Sequence, residues 1–218
     1  MRTLAVLWHS TVGKKGVMAT SGGLLLAWLC AHLAGNLLIF SGPRAIDGYS
    51  ALLHSRPGLL WAMRGGLLFL AALHGVAALQ LARRAQRANV ARAIPRRLQV
   101  ATLATRTMRW SGALLAGFIV FHLLHLTLGT VHSTFQAGAV YHNLTTGLRS
   151  PGVASIYLFA VTLVALHLRH GLWAARRSLG SVPLQKRPQP GWISALFAVG
   201  IWLGFAVVPL AVLAGVLR

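Results

Sequence analysis

The chain has 218 residues, of which 56% are hydrophobic and only 10% are charged, whereas an average soluble domain has about 25% charged residues. Asp47 is the only acid, against 21 Lys and Arg, which excludes the paired carboxylates of glycosidases and aspartic proteases and the carboxylate cages that hold Ca²⁺ or Mg²⁺. The apolar composition indicates a membrane protein. The formal charge of +20 at pH 7 does not indicate a nucleic-acid-binding protein, because the basic residues lie between long apolar runs.

Five apolar runs are long enough to cross a bilayer as helices, each of which needs about 20 residues. In chain order they cover residues 17–40, 59–82, 110–131, 152–175 and 192–217. The connections between them are short except for a basic stretch at 83–109, so we expect no second domain in residues 1–218. The predicted fold class is all-α, a single integral membrane bundle of five transmembrane helices.

The basic residues are unevenly divided between the two ends of these spans. Sixteen of them lie on the side of the N-terminus and five on the opposite side. Cytoplasmic segments of membrane proteins carry an excess of Lys and Arg. We therefore expect a cytoplasmic N-terminus and an external C-terminus.

Six of the ten histidines lie inside the predicted spans, where an ionisable side chain is costly and usually functional. They are His32, His74, His122, His125, His167 and His170. At a rise of about 1.5 Å per residue, His32 and His122 lie toward the outside of their spans. His74 and His167 lie toward the cytoplasm. The depths predict an outer pair and an inner pair, although His125 also fits the outer level. His132 and His142, in the outer loop, are expected to be solvated.

An internal repeat selects four of these histidines. Residues 18–25 and 108–115 share the pattern M-x-x-S-G-x-L-L, and a histidine follows the serine of each copy by eleven residues. Two consecutive arginines begin nine residues after each of the two remaining members. The equivalent set is His32, His74, His122 and His167.

The serine and glycine of this repeat are candidates for lining a binding pocket. Eleven residues are close to three helical turns, so Ser21 and Ser111 share a face with the histidines that follow them. Gly22, Gly23 and Gly112 lie next to these serines and leave space for a flat, bulky group. Close packing of two helices through small residues explains the same pattern, and both interpretations remain open here.

Two imidazole pairs at two depths suit b-type haem better than zinc or a proton relay. Zinc prefers three or four ligands at one site, and a proton relay usually recruits Asp or Glu, which the spans lack. A b haem takes neutral imidazoles as axial ligands inside a helix bundle and needs no cysteine, and Cys30 is the only one here. Two such haems would carry electrons between a partner at the basic cytoplasmic face and a lipid-soluble carrier such as a quinone.

Residues near the ends of the spans are candidates for contacts with the edges of these groups. Anionic haem propionates pair with basic side chains, and the candidates are His9, Lys15, Arg64, Arg106 and Arg109. Membrane topology explains each of these residues equally well. Trp8, His9 and Ser10, just before the first span, are candidates for contact with a quinone.

Several motifs, in this order along the chain, resemble the dihaem cytochrome b membrane subunit of succinate dehydrogenase/fumarate reductase, of the cytochrome b558 type. They are S-T-V-G-K-K at 10–15, M-A-T-S-G at 18–22, H-L-A-G-N-L at 32–37, D-G-Y at 47–49, R-T-M-R-W-S-G at 106–112, F-H-L-L-H at 121–125 and H-L-R-H-G-L-W at 167–173. The resemblance covers roughly residues 8 to 180.

The resemblance implies two b haems, each held by two histidines from different helices. The outer haem would be held by His32 and His122, and the inner haem by His74 and His167. His125 and His170 then have supporting or propionate-binding roles. The resemblance further implies a flavoprotein and an iron–sulfur subunit on the cytoplasmic face of a bacterial inner membrane, and menaquinone or a similar quinone as electron partner. It places the dicarboxylate site outside this chain.

Two other functions remain open from the residues alone. A cytochrome b subunit of a hydrogenase or formate dehydrogenase also binds two haems, but typically through histidines on fewer helices. A histidine-lined membrane transporter would need no haem at all. The sequence leaves open the direction of electron flow, the oligomeric state and, since there is no Glu, the group that handles quinone protons.

Overall fold

A computed structural model of the chain describes residue 8 and residues 10–91, 103–178 and 191–218, with side chains at 8, 10–88, 107–176 and 191–218. These residues form α-helices and no strand. The helices are α1 Thr11–Leu37, α2 Pro43–His54, α3 Pro57–Ala91, α4 Leu103–His122, α5 Val140–Gly147, α6 Pro151–Ser178 and α7 Trp192–Leu213. A 3₁₀ turn at Leu38–Ser41 follows α1, and a π-helical turn at Leu123–Thr127 follows α4.

Five of these helices, α1, α3, α4, α6 and α7, are long and apolar enough to cross a membrane. The prediction of an all-α bundle with five spans is therefore confirmed, and the chain is a multi-pass membrane protein. The basic stretch at 83–109 is partly helical, since α3 continues to Ala91 and α4 begins at Leu103. The short helices α2 and α5, in the loops opposite the N-terminal side, were not predicted.

Two predicted spans end earlier than their apolar runs. The third was expected to reach residue 131, but its helical structure ends at Thr127, where Leu128 N–H donates to Leu123 O at 2.8 Å and Gly129 adopts φ +71°. The fifth was expected to reach 217 and ends at Leu213. There Gly215, with φ +71°, forms a glycine-capped helix end. Hydropathy alone does not register these turns.

The only acid of the chain stabilises the loop region at the end of the bundle opposite the N-terminus. Asp47 lies in α2, and its Oδ1 accepts a hydrogen bond of 2.9 Å from the backbone N–H of Tyr141 in the first turn of α5. A carboxylate at this position compensates the unpaired N–H groups and the dipole of a helix N-terminus. Ile39, Ile46 and Leu144 belong to the apolar cluster buried beneath the two short helices.

Some of the spanning helices pack closely, and two pairs of them do not. The helix α1 packs on α3, α4 packs on α6, and α7 packs on both α6 and α1. At the last contact, a β-carbon on Gly204 would lie 2.8 Å from Leu33 Cδ2, so the small residue allows close approach. By contrast, neither α1 and α4 nor α3 and α6 are closely packed neighbours. The histidines lie between these separated helices.

Candidate functional site

The inner pair, which we define as His74 of α3 and His167 of α6, lies toward the N-terminal end of α1. The two ring centres are 6.4 Å apart and the ring planes are inclined by 62°. Since α3 and α6 do not pack closely, the two imidazoles face each other across the space between the helices.

Hydrogen bonds that His74 makes with α1 fix its tautomer. Its Nδ1 lies 3.1 Å from the carbonyl oxygen of Met18 and 3.2 Å from Ser21 Oγ. Ser21 Oγ donates its own proton to Val17 O at 2.7 Å, so both partners of Nδ1 act as acceptors. His74 therefore carries its proton on Nδ1, and Nε2 keeps the lone pair that a metal requires.

His167 is held in the same way by the second copy of the repeat. Ser111 Oγ lies 3.1 Å from His167 Nδ1 and donates to Met108 O at 3.2 Å. The serine oxygen thus accepts from Nδ1 of His167, which again leaves Nε2 as the nitrogen able to bind a metal. The spacing of eleven residues in the repeat puts each serine on the same face as the histidine of its own helix. In the structure it holds a histidine of the next spanning helix.

The glycine after each serine lies against the same imidazole. A β-carbon on Gly22 would be 3.0 Å from His74 Cε1, and one on Gly112 would be 3.7 Å from His167 Cε1. Gly23 has nothing within 4 Å of such an atom. The repeated S-G pair therefore provides the hydrogen bond and the space for an inner histidine.

The outer pair, His32 of α1 and His122 at the end of α4, lies at the opposite level of the bundle. Its ring centres are 5.9 Å apart and the planes are nearly perpendicular, at 86°. Trp28 stacks on His32 with centres 4.8 Å apart, and Phe118 lies 5.9 Å from His122. A cavity of about 140 Å³ lies beside both histidines, and Asn36 and Asn143 also line it.

His125 is not part of this facing pair. It is 2% exposed, and its Nδ1 lies 3.0 Å from the hydroxyl of Tyr157. The same hydroxyl lies 3.4 Å from Nδ1 of His122. The structure thus gives His125 a contact to the outer pair through Tyr157. The π-helical turn Leu123–Thr127 contains His125, and such turns are frequent at functional sites.

The expectation that His132 is solvated is wrong. Its side chain is 8% exposed and stacks on His125 with ring centres 4.8 Å apart. Burial lowers the pKa of His132 below the ordinary range of histidine. The loop after α4 folds inward because Gly129 adopts a positive φ, a feature that sequence composition did not reveal. His142 donates from Nε2 to Thr134 O at 3.0 Å.

The remaining candidates lie at the ends of the helices. His170 Nδ1 donates to Leu166 O of its own helix at 2.9 Å, and Arg64 lies over the ring of Trp61 at 5.2 Å. Arg109 is exposed. The side chain of Arg106 lies outside the described part of the chain. In the parts of the chain that the structure describes, no hydrogen bond or ring contact joins His170, Arg64 or Arg109 to either histidine pair.

The segment before α1 contains the candidates for quinone contact. Ser10 is the N-cap of α1, and its Oγ accepts from Gly13 N–H at 2.8 Å. Trp8 lies 5.1 Å from Lys14 Nζ, whereas His9 is outside the described residues. Lys15 is exposed and Lys14 is covered, at 4% exposure. Lys15 was a candidate from the sequence, whereas Lys14 was not.

The geometry of both pairs fits a metal held between two imidazoles. With metal–nitrogen bonds of about 2.0–2.1 Å, two imidazoles on opposite sides of a metal have ring centres about 6 Å apart. The observed separations are 6.4 Å and 5.9 Å. Within the described residues no group of three or more His, Cys, Asp or Glu side chains could hold a metal. Each pair supplies two imidazoles, which is the number that a metal with its own equatorial ligands, as in a porphyrin, would require.

Comparison with families of known proteins gives a match over part of the chain. No curated protein and no solved structure matches the chain. Residues 83–179 match the family model described as succinate dehydrogenase/fumarate reductase transmembrane subunit. The matched region, somewhat less than half of the chain, contains both members of the α4–α6 half of the site, His122 and His167. This part of the chain is therefore similar to the transmembrane subunits of succinate dehydrogenase and fumarate reductase.

Proposed function

We propose that the chain is the cytochrome b membrane anchor of a succinate:quinone oxidoreductase and binds two b-type haems, one at each histidine pair. The main support is that two imidazole pairs lie at two levels of the bundle, each between helices that do not pack closely. The family match over residues 83–179 supports the choice of complex.

The two pairs are placed to connect the two halves of a bilayer. Ser21 contacts His74 of the inner pair, and His32 of the outer pair lies eleven residues further along α1. At about 1.5 Å per residue this is a separation of about 16 Å along the axis, roughly half of the 30 Å hydrocarbon layer. The same spacing from Ser111 to His122 gives the same separation on α4.

The protein residues hold the imidazoles in position. When bound, each haem would supply one-electron transfer. Hydrogen bonds from Nδ1 of His74 and His167 keep Nε2 unprotonated for the metal. Aromatic rings pack around His32 and His122 at the outer level. Two histidines per iron leave no position for oxygen or another ligand, which favours electron transfer over ligand chemistry.

The partners follow from the charge distribution and from the family match. The sixteen basic residues on the N-terminal side favour a cytoplasmic location for this face, and we assign it to the cytoplasmic side of a bacterial inner membrane, in contact with a flavoprotein and an iron–sulfur subunit. Succinate or fumarate would react in those subunits. A membrane quinone, such as menaquinone, would exchange electrons with this chain, and the complex could associate into a higher oligomer.

Haem content measured on single variants tests this proposal. The wild-type complex should show a reduced-minus-oxidised b-type spectrum with two haems per chain and should copurify with succinate dehydrogenase activity. His74→Ala and His32→Ala should each lose one haem. His170→Ala is the matched control, because this histidine bonds to its own helix, and it should retain both. A wild-type protein without a b-type spectrum would contradict the proposal. A dihaem protein that copurifies with hydrogenase or formate dehydrogenase would contradict the choice of complex.

A further inference from the structure

Lys14 is a covered cation without an anionic partner in the described part of the chain. Its side chain is 4% exposed, its Nζ donates to Gln80 Oε1, and the ring of Trp8 lies 5.1 Å away. The only acid, Asp47, binds the N-terminus of α5 at the opposite end of the bundle. A charge removed from water is costly unless it is paired. An anion from outside the chain would therefore stabilise the ammonium group of Lys14.

A second cation, Arg84, makes the binding of an anion here more favourable. Arg84 of α3 reaches α1, where its Nη1 donates to Thr11 Oγ1 at 3.5 Å, and its charge acts on Lys14. Two like charges so close together repel each other. The neutral groups of Gln80 and Thr11 solvate them but do not balance them. An anion between Lys14 and Arg84 would do both.

The location of Lys14 connects it to the inner histidine pair. Lys14 precedes Ser21 by seven residues, which is two helical turns, so both lie on the face of α1 that packs on α3. Ser21 contacts His74, and Gln80 follows His74 by six residues on α3. Lys14 and Gln80 therefore meet about 10 Å from the inner pair along the helix axes, toward the N-terminal side.

We propose that Lys14, with Gln80 and Arg84, binds a carboxylate of the inner haem, that is, one of its propionates. This inference rests on the proposed function. His74 and His167 face each other across the bundle, so a planar group held by both stands parallel to the helix axes. Its charged edge avoids the apolar middle of the membrane and points to the N-terminal side, where Lys14 lies. The phosphate of an anionic phospholipid has similar chemistry and is the competing source of the anion.

Redox titration of the whole complex, followed by haem absorption, tests the assignment. Lys14→Met removes a positive charge next to the inner haem and should favour its oxidised form by about tenfold, which is about 59 mV for a one-electron centre. The outer haem should keep its potential. Arg87→Met removes an exposed cation at the same end of the bundle and should shift neither haem by more than about a quarter of that amount. Lys14→Arg should restore the wild-type potential.

A second variant keeps the test decisive if Lys14→Met does not assemble. Gln80→Glu places a carboxylate on Lys14, competes with the propionate and should also lower the potential of the inner haem. Unchanged potentials in both variants, or equal shifts in Lys14→Met and Arg87→Met, would overturn the assignment. Loss of copurified anionic phospholipid from Lys14→Met, with both potentials unchanged, would give the site to a lipid phosphate and overturn it too. These outcomes leave two haems in the wild type, whereas failure of the proposed function would show none.

Discussion

The inner and outer histidine pairs have similar spacings, with ring centres 6.4 Å and 5.9 Å apart, but they are held by different forces. Each inner imidazole donates from Nδ1 to acceptors of a neighbouring helix at 3.1–3.2 Å. The outer pair is surrounded by Trp28, Phe118 and Phe205, and its hydrogen bond to Tyr157 is longer, at 3.4 Å. The inner pair is oriented by hydrogen bonds and the outer pair mainly by packing.

This difference shows what the repeated motif does. Both copies of M-x-x-S-G supply acceptors to Nδ1 of an inner histidine, one on α3 and the other on α6. The histidines that follow the motif on its own helices, His32 and His122, make no such contact with the serines. The repeat therefore supplies hydrogen-bond acceptors to both histidines of the inner pair. For the outer pair it only fixes the positions of His32 and His122 along their helices.

The strongest test of the comparison lies at the outer level, where two histidines compete. His122 faces His32 across the bundle, whereas His125 is directed to Tyr157. His122→Ala should abolish binding of the outer haem and leave the inner one, whereas His125→Ala should keep both. Haem content per chain and the reduced-minus-oxidised spectrum measure both results. Retention of the outer haem in His122→Ala, with its loss in His125→Ala, would assign the ligand to the other histidine.

The glycine beside each inner histidine gives the next largest effect. A β-carbon on Gly22 would lie 3.0 Å from His74 Cε1, whereas Gly23 has open space around it. Gly22→Ala should displace the imidazole, and overpacking of this kind costs about 1–3 kcal/mol, which corresponds to a loss of inner haem affinity of about 5- to 150-fold. Gly23→Ala is the matched control and should bind haem normally. Equal haem occupancy in the two variants would show that the close contact between Gly22 and His74 does not affect haem binding.

The two serines should differ in importance, although the repeat makes them equivalent. Ser111 is the partner seen for His167 Nδ1, whereas His74 Nδ1 also has Met18 O. Partners that orient a metal ligand are typically worth about 10–100-fold in metal affinity. Ser111→Ala should therefore weaken inner haem binding toward the upper end of that range and Ser21→Ala toward the lower end. Dissociation of haem to apomyoglobin measures both rates. The opposite order would mean that the carbonyl of Met18 contributes little.

Much of this arrangement was predictable from the sequence. Hydropathy was sufficient for the five spans, and the repeat selected the four histidines that the structure brings together in two pairs. The partner of each serine was not predictable, because helical spacing relates residues on one helix and not on neighbouring helices. The cover over Lys14 depends on the packing of α3 and the position of Trp8. The burial of His132 depends on a loop turn at Gly129.

Tyr157 gives the smallest expected effect and tests the difference at the outer pair. Tyr157→Phe removes the hydroxyl that lies 3.0 Å from His125 Nδ1 and 3.4 Å from His122 Nδ1. Leaving a buried nitrogen of His125 unpaired costs about 1–3 kcal/mol, so thermal stability should fall. The outer haem should remain bound, because Trp28, Phe118 and Phe205 still pack around the pair. Outer haem affinity should change less than inner haem affinity does in Ser111→Ala. If Tyr157→Phe weakens outer haem binding as strongly as Ser111→Ala weakens inner binding, hydrogen bonding and not packing orients both pairs.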